Sequence, residues 1–185
     1  MFARDAARYC AAHVLLRRLL LAHCGTAAGE EFELGAHHKP RLRSGNPWGF
    51  NLSHSGDLAL IGIGAGDGIG VDIEVLREVV GVWPLAEQNF SANEYRELGR
   101  TPKERVSRAF LSGWTRKEAC LKAVGSGLSI APASFDVGLA PVPKVLALQT
   151  DSGSVGVIVH AVQAGAGALA AVARTTRLPI DQTLS

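Results

Sequence analysis

The chain of 185 residues has only three cysteines, Cys10, Cys24 and Cys120, an odd number without ligand-like spacing. This argues against a disulfide framework or a zinc knuckle and fits a reducing cytosol. Long apolar runs are also lacking. The stretch after Val14 is broken by Arg17-Arg18, and residues 164–173 are too short and glycine-rich to span a bilayer. No secretory signal stands out. Charge of one sign is missing too: 19 Lys and Arg face 17 Asp and Glu, a formal balance of +2 with no basic run. A broad nucleic-acid surface is therefore not expected, and a soluble cytoplasmic protein without a membrane partner is. What abounds is glycine, 21 in all, which implies many turns and hairpins.

The order of elements predicts an α+β fold in a single domain. Residues 3–22 read as a helix rich in Ala and Leu, with Gly25 as its C-cap. Residues 31–34 read as a short strand, followed by the turn-forming His37-His38-Lys39-Pro40 and Ser44-Gly45-Asn46-Pro47. Further strands are expected at 48–53, 58–64 and 69–74. Gly66-Asp67-Gly68 has the chemistry of a hairpin, which would set strand 69–74 antiparallel to 58–64. Ser91 with Glu94 three residues on forms a capping box. A longer helix is predicted over 102–124 and is stopped by Gly125-Ser126-Gly127. Strands at 135–137, 145–149, 155–162 and 168–174 complete an antiparallel meander.

Two stretches carry chemistry. In Gly70-Val71-Asp72-Ile73-Glu74, apolar and acidic residues alternate, so Asp72 and Glu74 face one side of a strand, about 6.6 Å apart along it. In the second helix, Phe110, Leu111, Trp114, Leu121 and Val124 share one face at about 100° per residue, and Glu118 lies inside that arc. A half-buried glutamate is costly unless paired or bound to a cation. Asp72, Glu74 and Glu118 together suit one hard divalent ion such as magnesium, which takes a few carboxylates plus substrate phosphates. Lys122, one turn beyond Glu118, would then reach a phosphate oxygen. The plainer alternative is a solvated sheet face and a surface Glu–Lys pair. Adjacent His37-His38 do not converge on a metal, and the glycines of residues 62–70 match neither a dinucleotide fingerprint nor a Walker loop.

The motifs Gly70-Val71-Asp72-Ile73-Glu74 and Trp114-x-x-Lys117-Glu118-Ala119-x-x-Lys122 resemble the two signatures of 4′-phosphopantetheinyl transferases. Lys39-Pro40, Asn51-Leu52-Ser53-His54-Ser55, Phe90-Ser91-x-x-Glu94-Tyr95 and Gly125-x-Gly127-Leu128-Ser129 resemble motifs of the Sfp-type branch. The resemblance implies two pseudo-symmetric α+β lobes, here about 1–69 and 70–185, with coenzyme A between them. It implies magnesium-dependent transfer of phosphopantetheine to a serine of an acyl or peptidyl carrier protein, releasing adenosine 3′,5′-bisphosphate. By the same resemblance, Asp72, Glu74 and Glu118 match the metal ligands. Lys122 matches the lysine on the reacting phosphate, and Glu118 also matches the candidate base. Arg8, Lys39, Pro40, Ser53 and His54 match positions that hold the nucleotide end and its 3′-phosphate.

Two departures stand out. Family members carry a few dozen residues ahead of the helix that here starts near Ala3, and the glycine usual before Lys-Pro is His38. The alternatives to a transferase are a binding protein for coenzyme A or carrier that lacks the usual N-terminal segment, and a metal-dependent phosphohydrolase. A monomer is expected, with a dimer paired through an exposed sheet edge as the alternative.

Overall fold

A computed structural model describes residues 3–25, 32–35, 39–43, 46–125 and 129–177. The helix α1, Ala3–Cys24, buries Ala12, Leu16 and Leu20 and ends at Gly25, whose φ of 63° is the left-handed conformation glycine adopts most readily. The short strands β1 (Glu33–Leu34) and β2 (Pro40–Arg41) pair with each other, so of the strand expected over 31–34 residues 33–34 are in a strand, Phe32 is not, and residue 31 lies outside the described residues. Next come β3 (Trp48–Ser55) and β4 (Leu58–Ala65), an antiparallel pair turning at Gly56. Leu16, Leu20, Leu42 and Phe50 form a core between α1 and this pair.

The strand β5 (Ile69–Val75) follows the expected turn, but its backbone partner differs from the expected one. It pairs antiparallel with β8 (Ala168–Thr176), at the edge of a four-stranded sheet ordered β5-β8-β7-β6, where β6 is Lys144–Thr150 and β7 is Gly153–Val162. The 66–68 turn therefore joins two sheets. The reason lies in β4: Gly62 has no side chain, and a Cβ there would stand 2.6 Å from Val71 Cγ1 and 3.1 Å from Ile69 Cδ1. The apolar side chains of β5 thus lie on the face of β4, and its backbone groups turn elsewhere.

Between β5 and β6 run α2 (Val82–Asn89), α3 (Ala92–Gly99), a 3-10 turn at Lys103–Arg105, and α4 (Val106–Val124). The capping box of Ser91 and Glu94 is formed. The helix α2 has no counterpart among the expected elements. The predicted strand at 135–137 is absent: a 3-10 turn at Pro132–Ser134 leads into an irregular segment. Side chains replace the missing strand partner. Lys117 Nζ donates to Phe135 O (2.6 Å) and Pro132 O (2.8 Å), Arg116 donates to Val137 O (2.7 Å), and the Val137 amide donates to Glu94 Oε1 (2.8 Å). Lys117 and Glu94, both fully buried, close this network as an ion pair of 2.8 Å. Ala119, Cys120 and Leu121 of α4 pack on Val157, Val159, Ala171 and Ala173 of the sheet. No helix among the described residues is long and apolar enough to cross a membrane.

Candidate active site

Asp72 and Glu74 do point to one side of β5, and that side faces β3. Alternate residues of β3 meet them. Asn51 Oδ1 accepts from the Val71 amide (2.8 Å), Ser53 Oγ donates to Asp72 Oδ1 (2.8 Å), and Ser55 Oγ donates to Glu74 Oε2 (2.9 Å) while accepting from the Val75 amide (3.1 Å). Three polar side chains spaced two apart thus join β3 to β5 without a backbone ladder.

The helix α4 crosses β5 where Gly70 has no side chain. A Cβ there would run into the Ala119 carbonyl oxygen and the Ala123 amide nitrogen. This close approach brings Lys122 Nζ to 2.6 Å from Asp72 Oδ1, with Ser53 Oγ at 3.3 Å, and sets Glu118 and Trp114 over the same space. The result is a cavity of about 350 Å³ lined by Ser53, His54, Asp72, Glu74, Trp114, Glu118 and Lys122. A larger cavity of about 460 Å³, between the first half of α4 and the β7–β8 turn, holds none of these carboxylates.

The electrostatics of the cavity are unresolved by the protein's own charges. Asp72 is 5% exposed, and its Oδ2 is buried without a hydrogen-bond partner among the described residues. Burial raises its carboxyl above the ordinary range, against Lys122 and Ser53, with Glu74 adding to the rise. Glu118 is raised by burial first, Lys122 opposing and Asp72 and Glu74 reinforcing. It makes no hydrogen bond or ion pair among the described residues. Glu74 is neutralised from outside by Arg77, whose Nη1 lies 2.6 Å from Oε2.

No three acidic, histidine or cysteine side chains among the described residues are gathered to a common cation-holding point. Asp72 is turned onto Lys122 and Glu74 onto Arg77. Still, an orphaned buried carboxylate oxygen and a bare half-buried carboxylate lining one cavity are oxygen donors of the kind a hard divalent cation takes, alongside water and substrate oxygens. The residues present fit such an ion.

The remaining candidates divide. His54 and Leu52 also line a second cavity of about 230 Å³, together with Pro40, Tyr9, His13 and Phe50, so the two spaces adjoin. Lys39 faces elsewhere, its Nζ donating to Asp67 O (2.7 Å), Ile69 O (2.9 Å) and Ala123 O (3.3 Å). Burial pushes it down to about 8, against the pull of Asp67. Arg8 lines neither cavity and donates from Nε to Asp57 Oδ1 at 2.7 Å. His37, His38 and most of the Gly125–Ser129 loop lie outside the described residues.

Residues 68–172, which hold β5, α4 and most of β8, match the model of the 4′-phosphopantetheinyl transferase superfamily. The chain belongs to this family. It is 37% identical over 143 residues to 4′-phosphopantetheinyl transferase psf-1 of Bacillus pumilus, covering 75% of this chain and 58% of that protein. Similarity to HetI of a Nostoc species is 36% over 128 residues, covering 66% and 53%. AcpT of Salmonella typhi is 36% identical over 151 residues, covering 82% and 75%. The chain thus spans about half the length of several curated relatives it matches. Within this phosphopantetheinyl transferase frame, residue reasoning missed Asn51, Ser55 and Arg77 as the groups that hold β5 and its acids. The alternation of Asn51, Ser53 and Ser55 was the available signal, since three polar residues on one strand face need partners. Arg77, three residues beyond Glu74, carried no comparable signal.

Proposed function

We propose that the protein transfers the 4′-phosphopantetheine arm of coenzyme A to a serine hydroxyl of an acyl or peptidyl carrier protein in the cytosol, acting as a single domain and a monomer. The observation that carries this reading is the meeting of Asp72, Glu118 and Lys122 over one cavity, inside the span that matches the family. Asp72, Glu74 and Glu118 would hold a divalent ion, magnesium in our reading, which supplies charge neutralisation at the diphosphate of coenzyme A. Asp72 then no longer needs Lys122 and Ser53 as its counter-groups. Lys122 becomes available to a phosphate oxygen, and Ser53 and His54 can donate toward the nucleotide phosphate. Pro40 and the aromatic wall of the adjoining cavity suit the nucleoside end.

Glu118 is the candidate base. Its carboxylate lines the cavity beside Asp72 and Lys122, where the serine proton must be removed. The serine oxygen bonds to the phosphorus nearer the pantetheine, the bond to the bridging diphosphate oxygen breaks, and adenosine 3′,5′-bisphosphate leaves. Positioning and charge stabilisation supply most of the rate in such transfers. The test is intact mass spectrometry of several carrier proteins incubated with the protein, coenzyme A and magnesium. A gain of one phosphopantetheine supports the proposal. Coenzyme A binding with every carrier unmodified would instead mark a binding protein.

A further inference from the structure

Lys39 comes from neither of the two elements that carry the acids, yet it touches both. All three hydrogens of its ammonium have carbonyl acceptors: Asp67 O in the turn before β5, Ile69 O at the start of β5, and Ala123 O in the last turn of α4. Ile69 precedes Gly70, and Ala123 is one of the α4 residues that Gly70 touches. The ammonium therefore sits beside the close approach of the β5 and α4 backbones at Gly70. Its stem lies over Gly125, where a Cβ would come within 3.2 Å of Lys39 Cδ. A cation at the C-terminal end of a helix is also favoured by the exposed carbonyls there.

We propose that Lys39 is a positioning residue: it clamps the β5–α4 crossing, and so sets where Asp72 and Glu74 stand relative to Glu118 and Lys122. Resting on the function proposed above, this assigns Lys39 to the protein's own carbonyls, with no hydrogen left for the 3′-phosphate of coenzyme A. Ile69 O and Ala123 O flank the contact from which both catalytic arms extend, Asp72 two residues beyond Gly70 and Lys122 immediately before Ala123. Loosening the crossing displaces the arms together.

The test compares Lys39→Met with Leu98→Ala, a cavity variant in α3 whose buried cluster holds no residue of β5 or of the last turn of α4, after both are shown folded and their melting temperatures compared. Manganese affinity is titrated without coenzyme, and transfer is measured with coenzyme A and with 3′-dephosphocoenzyme A. Lys39→Met is expected to weaken manganese binding and lower kcat by about tenfold each, by the same factor for both coenzymes. Leu98→Ala should change neither. If Lys39→Met raises KM for coenzyme A alone and spares the dephospho form, Lys39 is a phosphate ligand and the clamp is wrong. Equal effects of the two variants on manganese affinity would reduce Lys39 to general stability and overturn the proposal as well. Absence of transfer by the unaltered protein would defeat the proposed function, while the manganese titration would still decide the clamp.

Discussion

Each acid of the cavity has a different relation to charge, and each substitution should therefore read differently. Asp72 is buried with one oxygen on Lys122 and Ser53 and the other bare. Asp72→Ala removes a costly buried charge along with its partners' bonds, so the fold should survive while transfer falls below detection. Glu118→Ala should do the same, since no bond of the fold depends on its carboxylate. Circular dichroism and carrier mass spectrometry check both, and normal turnover of Asp72→Ala at limiting magnesium would overturn the ligand assignment. Lys122→Ala separates the roles: Asp72 loses its resting counter-charge, so ion binding should hold or improve while kcat drops, about 100-fold by the scale of a lost transition-state donor. Arg77→Ala belongs to the same logic. Arg77 competes with an ion for Glu74, so its removal should tighten manganese binding in a coenzyme-free titration, and a weaker affinity would show that Arg77 orients Glu74 instead.

At the scale of elements, what was legible followed periodicity. The strands β5 to β8 and the helix α4 carry clear two- or near-four-residue patterns, and the capping box marks α3 from its own residues. What was not legible depended on distant parts of the chain. The partner of β5 is set by two small features, the absent side chains at Gly62 and Gly70, which let β4 and α4 approach its two faces. Helix α2 starts at a left-handed Gly81 without a side-chain cap, contains Pro84 and fully buries only Ala86, so no amphipathic stripe announces it. Residues 135–137 look like a strand because they are alternately buried, yet their hydrogen bonds go to Glu94, Arg116 and Lys117. That Asp72, Glu74 and Glu118 line one cavity was legible because strand and helix geometry both turn them inward. Their resting partners were not, since Ser53 and Arg77 are chosen by packing. Gly70→Ala tests the crossing directly. Its methyl must push α4 off β5, which should cost about 3 kcal/mol, lower Tm by about 10 °C and abolish transfer. Glu94→Ala leaves Lys117 buried and unpaired and should cost about 3–5 kcal/mol in urea unfolding.

For the whole molecule, the β5–α4 crossing links stability to pH through Lys39. Its ordinary value of 10.5 is pushed down to about 8 in the folded chain, chiefly by burial. Between those two values the unfolded chain holds the proton more firmly than the folded one, so unfolding takes up a proton and the Lys39 contribution to stability rises with pH. The full window corresponds to a ceiling of about 3 kcal/mol, because each tenfold change in proton affinity is worth about 1.4 kcal/mol. Solvent at the partly exposed side chain keeps the realised effect below that ceiling. Activity should move the other way. A neutral amine has two hydrogens for three carbonyls, so the clamp loses a bond above pH 8 just as the fold is relieved of a buried charge. Other lysines and tyrosines titrate in the same range, which makes the comparison with Lys39→Met necessary. The stability difference between the unaltered protein and Lys39→Met, from denaturant unfolding at fixed temperature, should shift in favour of lysine from pH 8 to pH 10. The kcat advantage of lysine over methionine should shrink across the same interval. A stability difference that stays flat would mean that the ammonium is not under the strain its burial implies.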